Sequence, residues 1–324
     1  MNMERITLPQ TDLNVSRIVL GTMTFGGQAD EAMSREILDC ALDAGVNFID
    51  TANVYNKGAS EEILGRLLKG RRQSVILASK VFGKMGGGPD ESGLSRPAIL
   101  RAVEDSLRRL QTDYLDVYYL HQPDCNCPIE ETLEAMDALV RQGKVRYPAS
   151  SNYAGWQVAE MHEIARRQGY RPAAITQPMY NVLARGIEQE YTAMAKRYQV
   201  AMIVYNPLAG GLLTGKHQRA QFTPGTRFDN NKMYQDRYWH DDMFDAVEGL
   251  ETAARQEERS LISFALNWLL HHSPAHGIIL GASRTEQLES NLRTLADGPL
   301  SENSLKTCDV VWQALHGPAP RYNR

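Results

Sequence analysis

The chain places a carboxylate, a phenol, an ammonium and an imidazole near the ends of short apolar runs: Asp50, Tyr55, Lys80 and His121. Residues 46–49 lead into Asp50 and the Tyr55 that follows it, 75–78 into Lys80, and 115–120 into His121. Runs of that length and composition read as β-strands. In a barrel of parallel strands the C-terminal ends open into one mouth, so groups far apart in sequence would converge there. Together, such groups can protonate a carbonyl oxygen. Packing does not account for all four at successive strand ends.

The elements that would position them repeat. Residues 6–15 alternate around a polar Gln-Thr-Asp centre and predict a β-hairpin. Beyond it one unit recurs: a β-branched run, a polar loop, an amphipathic helix. Strands are expected at 18–20, 48–50, 75–79, 115–120, 145–149, 174–177, 201–205 and 278–280. Helices are expected at 33–44, 60–68, after an N-cap at Ser95 with Pro97 in the first turn, at 129–141, 156–167 and 187–198, along the stripe Leu261, Phe264, Ala265, Trp268 and Leu269, and at 285–295 and 301–316. This alternation fits a closed barrel or a doubly wound sheet. No strand leads into a GxGxxG turn and a helix, which favours the barrel. The expected fold is α/β, a (β/α)8 TIM barrel with an N-terminal β-hairpin and a C-terminal helix, forming one domain over residues 1–324. Gly86-Gly87-Gly88 lies in the long loop after the third strand and reads as a flexible lid.

Hydrophobic residues make up 43% of the 324 and charged residues 23%, as in an ordinary soluble globular protein. A formal charge of −4 without a long basic run gives nucleic acid no electrostatic footing. No apolar run approaches the roughly 18 residues of a membrane span. The polar first ten residues do not read as a signal peptide. Cys125 and Cys127 form a CNC turn after His121, but no second Cys/His pair has zinc spacing, so no metal is expected. With Cys40 and Cys308 they read as incidental thiols of a cytoplasmic protein with no nucleic-acid or membrane partner. His217, His240, His271, His272 and His276 are expected at the surface.

The segments GTMTFGG, FIDTANVYNKGASEEILG, Lys80 on the third strand, YYLHQPD, SSNY, ITQPMYN, YNPLAGGLLTGK and LGASRTEQLESNL resemble aldo-keto reductase motifs, in the family's order and over essentially the whole chain. MYQDRYW, ADGPL and the C-terminal Arg-Tyr-Asn-Arg resemble the aflatoxin-aldehyde and succinic-semialdehyde reductase branch, although the loop 81–96 is longer than in that branch. The resemblance implies NADPH-dependent reduction of an aldehyde or ketone to an alcohol.

Tyr55 is then the candidate general acid. A phenol, with a pKa of about 10, donates poorly at neutral pH unless its anion is stabilised. Lys80 would stabilise it by charge, Asp50 would hold the ammonium, and His121 would donate to the carbonyl oxygen and orient it. No side chain supplies a hydride, so a cofactor must, and the resemblance implies NADPH. By the same resemblance Ser151, Asn152 and Gln177 match positions that bind the nicotinamide carboxamide, and Tyr205 matches the aromatic ring stacked on it. The glycine-containing segment with Asn206, Leu208, Gly210 and Lys216 follows the seventh strand. Ser283, Arg284, Gln287 and Asn291 follow the eighth, and loops after these two strands are the usual phosphate site of this fold. Ser283 and Arg284 open a helix, a natural anion site. Arg284 could grip an adenosine 2′-phosphate bidentately. Arg227 matches another basic cofactor position. Tyr234, Arg237 and Arg324 match substrate-contacting positions of the branch, and guanidiniums there would favour a carboxylate-bearing aldehyde. Two other readings stay open. A nucleotide-sensing subunit resembling potassium-channel β-subunits would share the barrel and cofactor, but the chain's start at the hairpin counts against it. A sugar or small-ketone reductase would need no arginine. The resemblance also implies a homodimer.

Overall fold

Strand order follows from short apolar runs that each find a parallel neighbour. The computed structural model of the chain describes residues 3–222, 224–229 and 231–318. β1 (Arg5–Thr7) and β2 (Asn14–Ser16) pair antiparallel, with Ile6 opposite Val15. Eight parallel strands follow: β3 (Ile18–Gly21), β4 (Phe48–Asp50), β5 (Ile76–Val81), β6 (Leu115–Leu120), β7 (Val145–Ser151), β8 (Ile175–Gln177), β9 (Ala201–Val204) and β10 (Gly277–Gly281). They close into a barrel in chain order, with β10 beside β3. Val19, Phe48, Ala78, Val117, Tyr119, Ala149, Ile175 and Ile203 fill its core, where the hairpin adds Leu8, Leu13 and Val15.

The described residues divide into two compact units. One runs to Pro178 and adds Glu190–Ile203 and His276–Glu289. The other holds Met179–Gln189, Val204–Ala275 and the residues from Ser290 onward. In the first unit the strands alternate with α1 (Glu31–Asp43), α2 (Ala59–Leu67), α3 (Arg96–Leu110), α4 (Ile129–Arg141), α5 (Gly155–Gln168) and α6 (Tyr191–Tyr198). Ser95 caps α3 as expected, accepting from Ala98 N at 3.4 Å. α2 approaches α3 so closely at Gly65 that a Cβ there would stand 2.2 Å from the Arg109 carbonyl. The second unit holds α7 (Lys232–Tyr238), α8 (Asp241–Gln256), α9 (Leu261–His272) and α11 (Glu302–His316), with α11 packed on α8. α10 (Thr285–Thr294) follows β10.

Several expectations need correction. Lys80 lies inside β5, which runs to Val81 instead of ending at 79. The helix expected at 187–198 is a 3-10 turn at Gly186–Glu188 followed by α6, because Glu190 leaves helical geometry at φ −146°. α8 is a helix that the sequence reading did not anticipate. His217, His272 and His276 are half-buried instead of superficial: His217 packs on Phe228 and Trp239, His272 Nε2 accepts from Leu300 N at 2.9 Å, and His276 Nδ1 accepts from Met202 N at 3.2 Å. Among the described residues no helix is long and apolar enough to cross a membrane, and no three His, Cys, Asp or Glu side chains are grouped to hold a metal.

Candidate active site

Strand alternation builds the site. Phe48, Ala78, Tyr119, Ala149 and Ile175 all belong to the barrel core. A residue two positions further along a strand faces the same way. Those residues are Asp50, Lys80, His121, Ser151 and Gln177, which therefore stand above the core at the C-terminal strand ends. Register brings neighbours together, with Lys80 opposite Tyr119 and Ser151 opposite Gln177.

Lys80 is fully buried and Asp50 is 2% exposed. An ammonium has three protons to place. Lys80 places them on an Asp50 oxygen, on the Thr51 carbonyl at 2.8 Å and on the Tyr55 phenol oxygen at 3.2 Å. The other Asp50 oxygen accepts from Gln177 Nε2 at 2.8 Å. Burial opposes the lysine charge, but Asp50 and Tyr55 outweigh it and hold its pKa above the ordinary value. Lys80 has no lone pair to offer, so Tyr55 is the acceptor in their bond and its own proton serves another oxygen.

The Tyr55 and His121 rings meet edge to face, with centroids 6.0 Å apart. Burial, helped by the Lys80 charge, pushes the His121 pKa down to about 3. His121 is therefore neutral at physiological pH and keeps one N–H to donate. Asn152, left-handed at φ 62°, donates to the His121 carbonyl at 2.9 Å and to Ser151 Oγ at 3.1 Å. Ser151 Oγ donates to the Gln177 carbonyl at 2.8 Å. The three expected carboxamide binders are thus assembled beside the tetrad. The Thr51 carbonyl and the Gln177–Asp50 bond were not anticipated; a backbone acceptor carries no residue signature, and the bond joins strands that the sequence does not pair.

At the start of α10, Ser283 N and Oγ both donate to Gln287 Oε1, at 3.0 and 3.2 Å. Arg284 is exposed and makes no ion pair with any described residue. Asn291 lies within α10 and is buried. In the second unit Ala209, Gly210 and Gly211 form a left-handed run at φ 50°, 69° and 110°. Asn206 Oδ1 accepts from Gly210 N at 3.0 Å, and the Leu208 carbonyl accepts from Gly211 N at 2.8 Å. Lys216 is exposed and forms no ion pair with any described residue, and Tyr205 is half-buried. Arg227 donates to the Tyr234 hydroxyl at 2.7 Å, and Tyr234 is buried against Gly210 and Phe228. Arg237 is half-buried on α7. Arg324 lies outside the described residues. In the first unit the neutral amides at the barrel strand ends suit the carboxamide of a nicotinamide, and in the second unit the left-handed glycine run suits a phosphate.

Residues 17–313 match the model of the Aldo/keto reductase family. The chain is 36% identical to the human protein named aldo-keto reductase family 7 member A3 over 94% of this chain and 96% of that one. It is 35% identical to rat aflatoxin B1 aldehyde reductase member 2 over 94% of this chain and 87% of the relative. It is also 34% identical to a probable voltage-gated potassium channel subunit beta of Arabidopsis thaliana, over 92% of this chain and 93% of that protein.

Proposed function

The chain belongs to the aldo/keto reductase family, and we propose that it reduces aldehydes or ketones to alcohols with Tyr55 as the proton donor. Family membership supports an NADPH-dependent carbonyl reductase in general. The observation that carries the finer reading is the three-way grip on the Lys80 ammonium, which sets a buried cation against the Tyr55 oxygen. NADPH, when bound, supplies the hydride. Ser151, Asn152 and Gln177 would orient its carboxamide beside the tetrad. His121 and Tyr55 hold the substrate oxygen by N–H and O–H. As negative charge builds on that oxygen, Tyr55 gives up its proton, and Lys80 stabilises the phenolate left behind. Gln177 and Asp50 keep Lys80 in place while this happens.

Arg284 is proposed to meet the 2′-phosphate that distinguishes NADPH from NADH. Asn206, Leu208, Gly210, Lys216, Arg227 and Asn291 are proposed as further cofactor positions, and Tyr205 as the ring on the nicotinamide. Tyr234, Arg237 and Arg324 are proposed to favour a substrate bearing a carboxylate. The protein is proposed to act as one catalytic domain, as a homodimer in the cytoplasm.

The test is NADPH consumption against paired aldehydes with and without a distant carboxylate, such as succinic semialdehyde and butanal. Tyr55→Phe should lose at least about 100-fold in turnover, with NADPH affinity unchanged. Near-normal turnover would remove Tyr55 from the role, and equal use of both aldehydes would remove the carboxylate preference. Arg284→Ala should weaken NADPH about tenfold or more and leave NADH unaffected. The potassium-channel match favours a second reading, a nucleotide-sensing subunit. Tight NADPH binding without turnover of any carbonyl in the panel would select it.

A further inference from the structure

The turn after Tyr55 is held in an unusual backbone conformation. Asn56 (φ 48°, ψ 41°) and Lys57 (φ 55°, ψ 38°) are both left-handed, and Gly58 follows at φ 94°. Glycine adopts this region freely, asparagine tolerates it, and lysine does not favour it. Consecutive residues persist there only where their surroundings over-determine them.

Asn56 supplies that determination. Its Nδ2 donates to the Met23 carbonyl at 3.0 Å and to the Phe25 carbonyl at 2.7 Å, using both of its protons. Both carbonyls belong to the loop between β3 and α1, which is itself stiff. Phe25 N donates to Thr22 O at 3.0 Å, Gly26 N to Ala29 O at 2.8 Å and Gly27 N to Thr24 O at 3.1 Å. Thr24 Oγ1 fastens the loop to the Ala282 carbonyl beyond β10, at 2.6 Å. Gly27 lies flat against the carboxamide, where a Cβ would stand 2.7 Å from Asn56 Oδ1. A braced loop thus grips the residue next to Tyr55 on one side, while Lys80 holds the phenol on the other.

Resting on the reading of Tyr55 as proton donor, we infer that Asn56 is a positioning residue whose carboxamide clamp keeps the Tyr55 oxygen within reach of Lys80. It touches neither substrate nor cofactor in this scheme. Filling a left-handed position alone would predict that glycine serves as well or better. The clamp predicts the reverse for turnover.

Asn56→Gly keeps the left-handed backbone and removes the clamp. Asn56→Asp replaces the donating nitrogen with a single acceptor oxygen that faces both carbonyls. Gly27→Ala pushes the carboxamide aside without altering residue 56. Each is compared with the wild type and Tyr55→Phe in carbonyl reduction across roughly pH 5 to 11, in NADPH titration and in thermal unfolding. Asn56→Gly should melt near the wild type and bind NADPH equally well. Its kcat should fall about ten- to a hundredfold, with KM changed much less, as a small misplacement of a reacting group does. The alkaline limb of its profile should move up, because a phenol further from the Lys80 charge is a weaker acid. Asn56→Asp should be slower still. Gly27→Ala should lower kcat alone yet cost nothing further in the Asn56→Gly background, where the space is vacant. Wild-type kcat and an unmoved limb in Asn56→Gly, with Tyr55→Phe inactive, would overturn the inference and spare the reading of Tyr55. Normal turnover in Tyr55→Phe would overturn both. Should Asn56→Gly fail to fold, Gly27→Ala decides, and unchanged kcat there overturns the clamp.

Discussion

Lys80 has every ammonium proton on an oxygen and no surface in contact with water. A charge is stable in such a place only while its partners remain. Lys80→Met would strand the Asp50 carboxylate in the barrel mouth, with the Gln177 amide still donating to it but no cation beside it. The expected loss is about 3–5 kcal/mol of unfolding free energy, the usual cost of breaking a buried pair. Adding Asp50→Asn removes the stranded charge and should restore most of that stability. Turnover should stay lost in both variants, because the phenol has lost its cation. Urea unfolding and NADPH consumption on the two variants separate these effects. Stability that does not return in the double variant would show that Lys80 matters by packing instead of by charge.

Elements carry the tetrad, and loops frame it. The Gly86-Gly87-Gly88 loop, expected as a flexible lid, has its own hydrogen bonds. Met85 N donates to Glu91 O, Gly88 N to Glu91 Oε2 and Gly93 N to Phe82 O, each at 2.8 Å. Asp124, just beyond His121, accepts from Leu94 N and from Asn126 N, both at 2.9 Å, and so ties the loop after β5 to the loop after β6. Asp124→Ala should speed proteolytic cleavage between residues 83 and 93 roughly tenfold by favouring local opening, with little change in melting temperature. An unchanged cleavage rate would mean that the remaining bonds hold the loop alone. Legibility in the sequence differed by element for physical reasons. β6 and α4 coincide with expectation because a continuous apolar run and a regular stripe ended by Gly143 are strong signals. α8 left a thin signal: Ala246, Ala253 and Ala254 are half of its buried positions, and Gly249 interrupts its interior. The tetrad was readable because charged and polar types stand out at strand ends. The Asn56 clamp was not, because its partners are backbone carbonyls and its backbone conformation has no one-letter sign.

At the scale of the whole molecule, buried and half-buried histidines couple stability to pH. In the first unit burial, aided by Lys80, holds His121 at about 3, against an ordinary 6.5. Burial also lowers His162, whose Nε2 donates to the Ala173 carbonyl at 3.0 Å, and His276, which faces Arg17. Each is neutral in the fold over a range where the unfolded chain would bind a proton. A lowered folded pKa gives stability that is fully present above about 6.5 and is lost as pH falls toward the folded value. Carboxylates act later: the Tyr147 hydroxyl, then the Arg146 charge, lower Asp12, whose contribution fades only below its ordinary value of 3.8. Unfolding free energy should therefore fall between pH 6.5 and 4.5, before the carboxylates titrate. His121→Gln, which keeps a donor but cannot titrate, should remove about 1.4 kcal/mol per pH unit from that slope well below 6.5. The same neutrality means that His121 itself should produce no acid limb in turnover between about pH 5 and 8. Urea titrations of both proteins at a series of pH values decide the matter. Parallel slopes would show that His121 titrates in the fold as it does in water, and the neutral donor assigned to it would have to be abandoned.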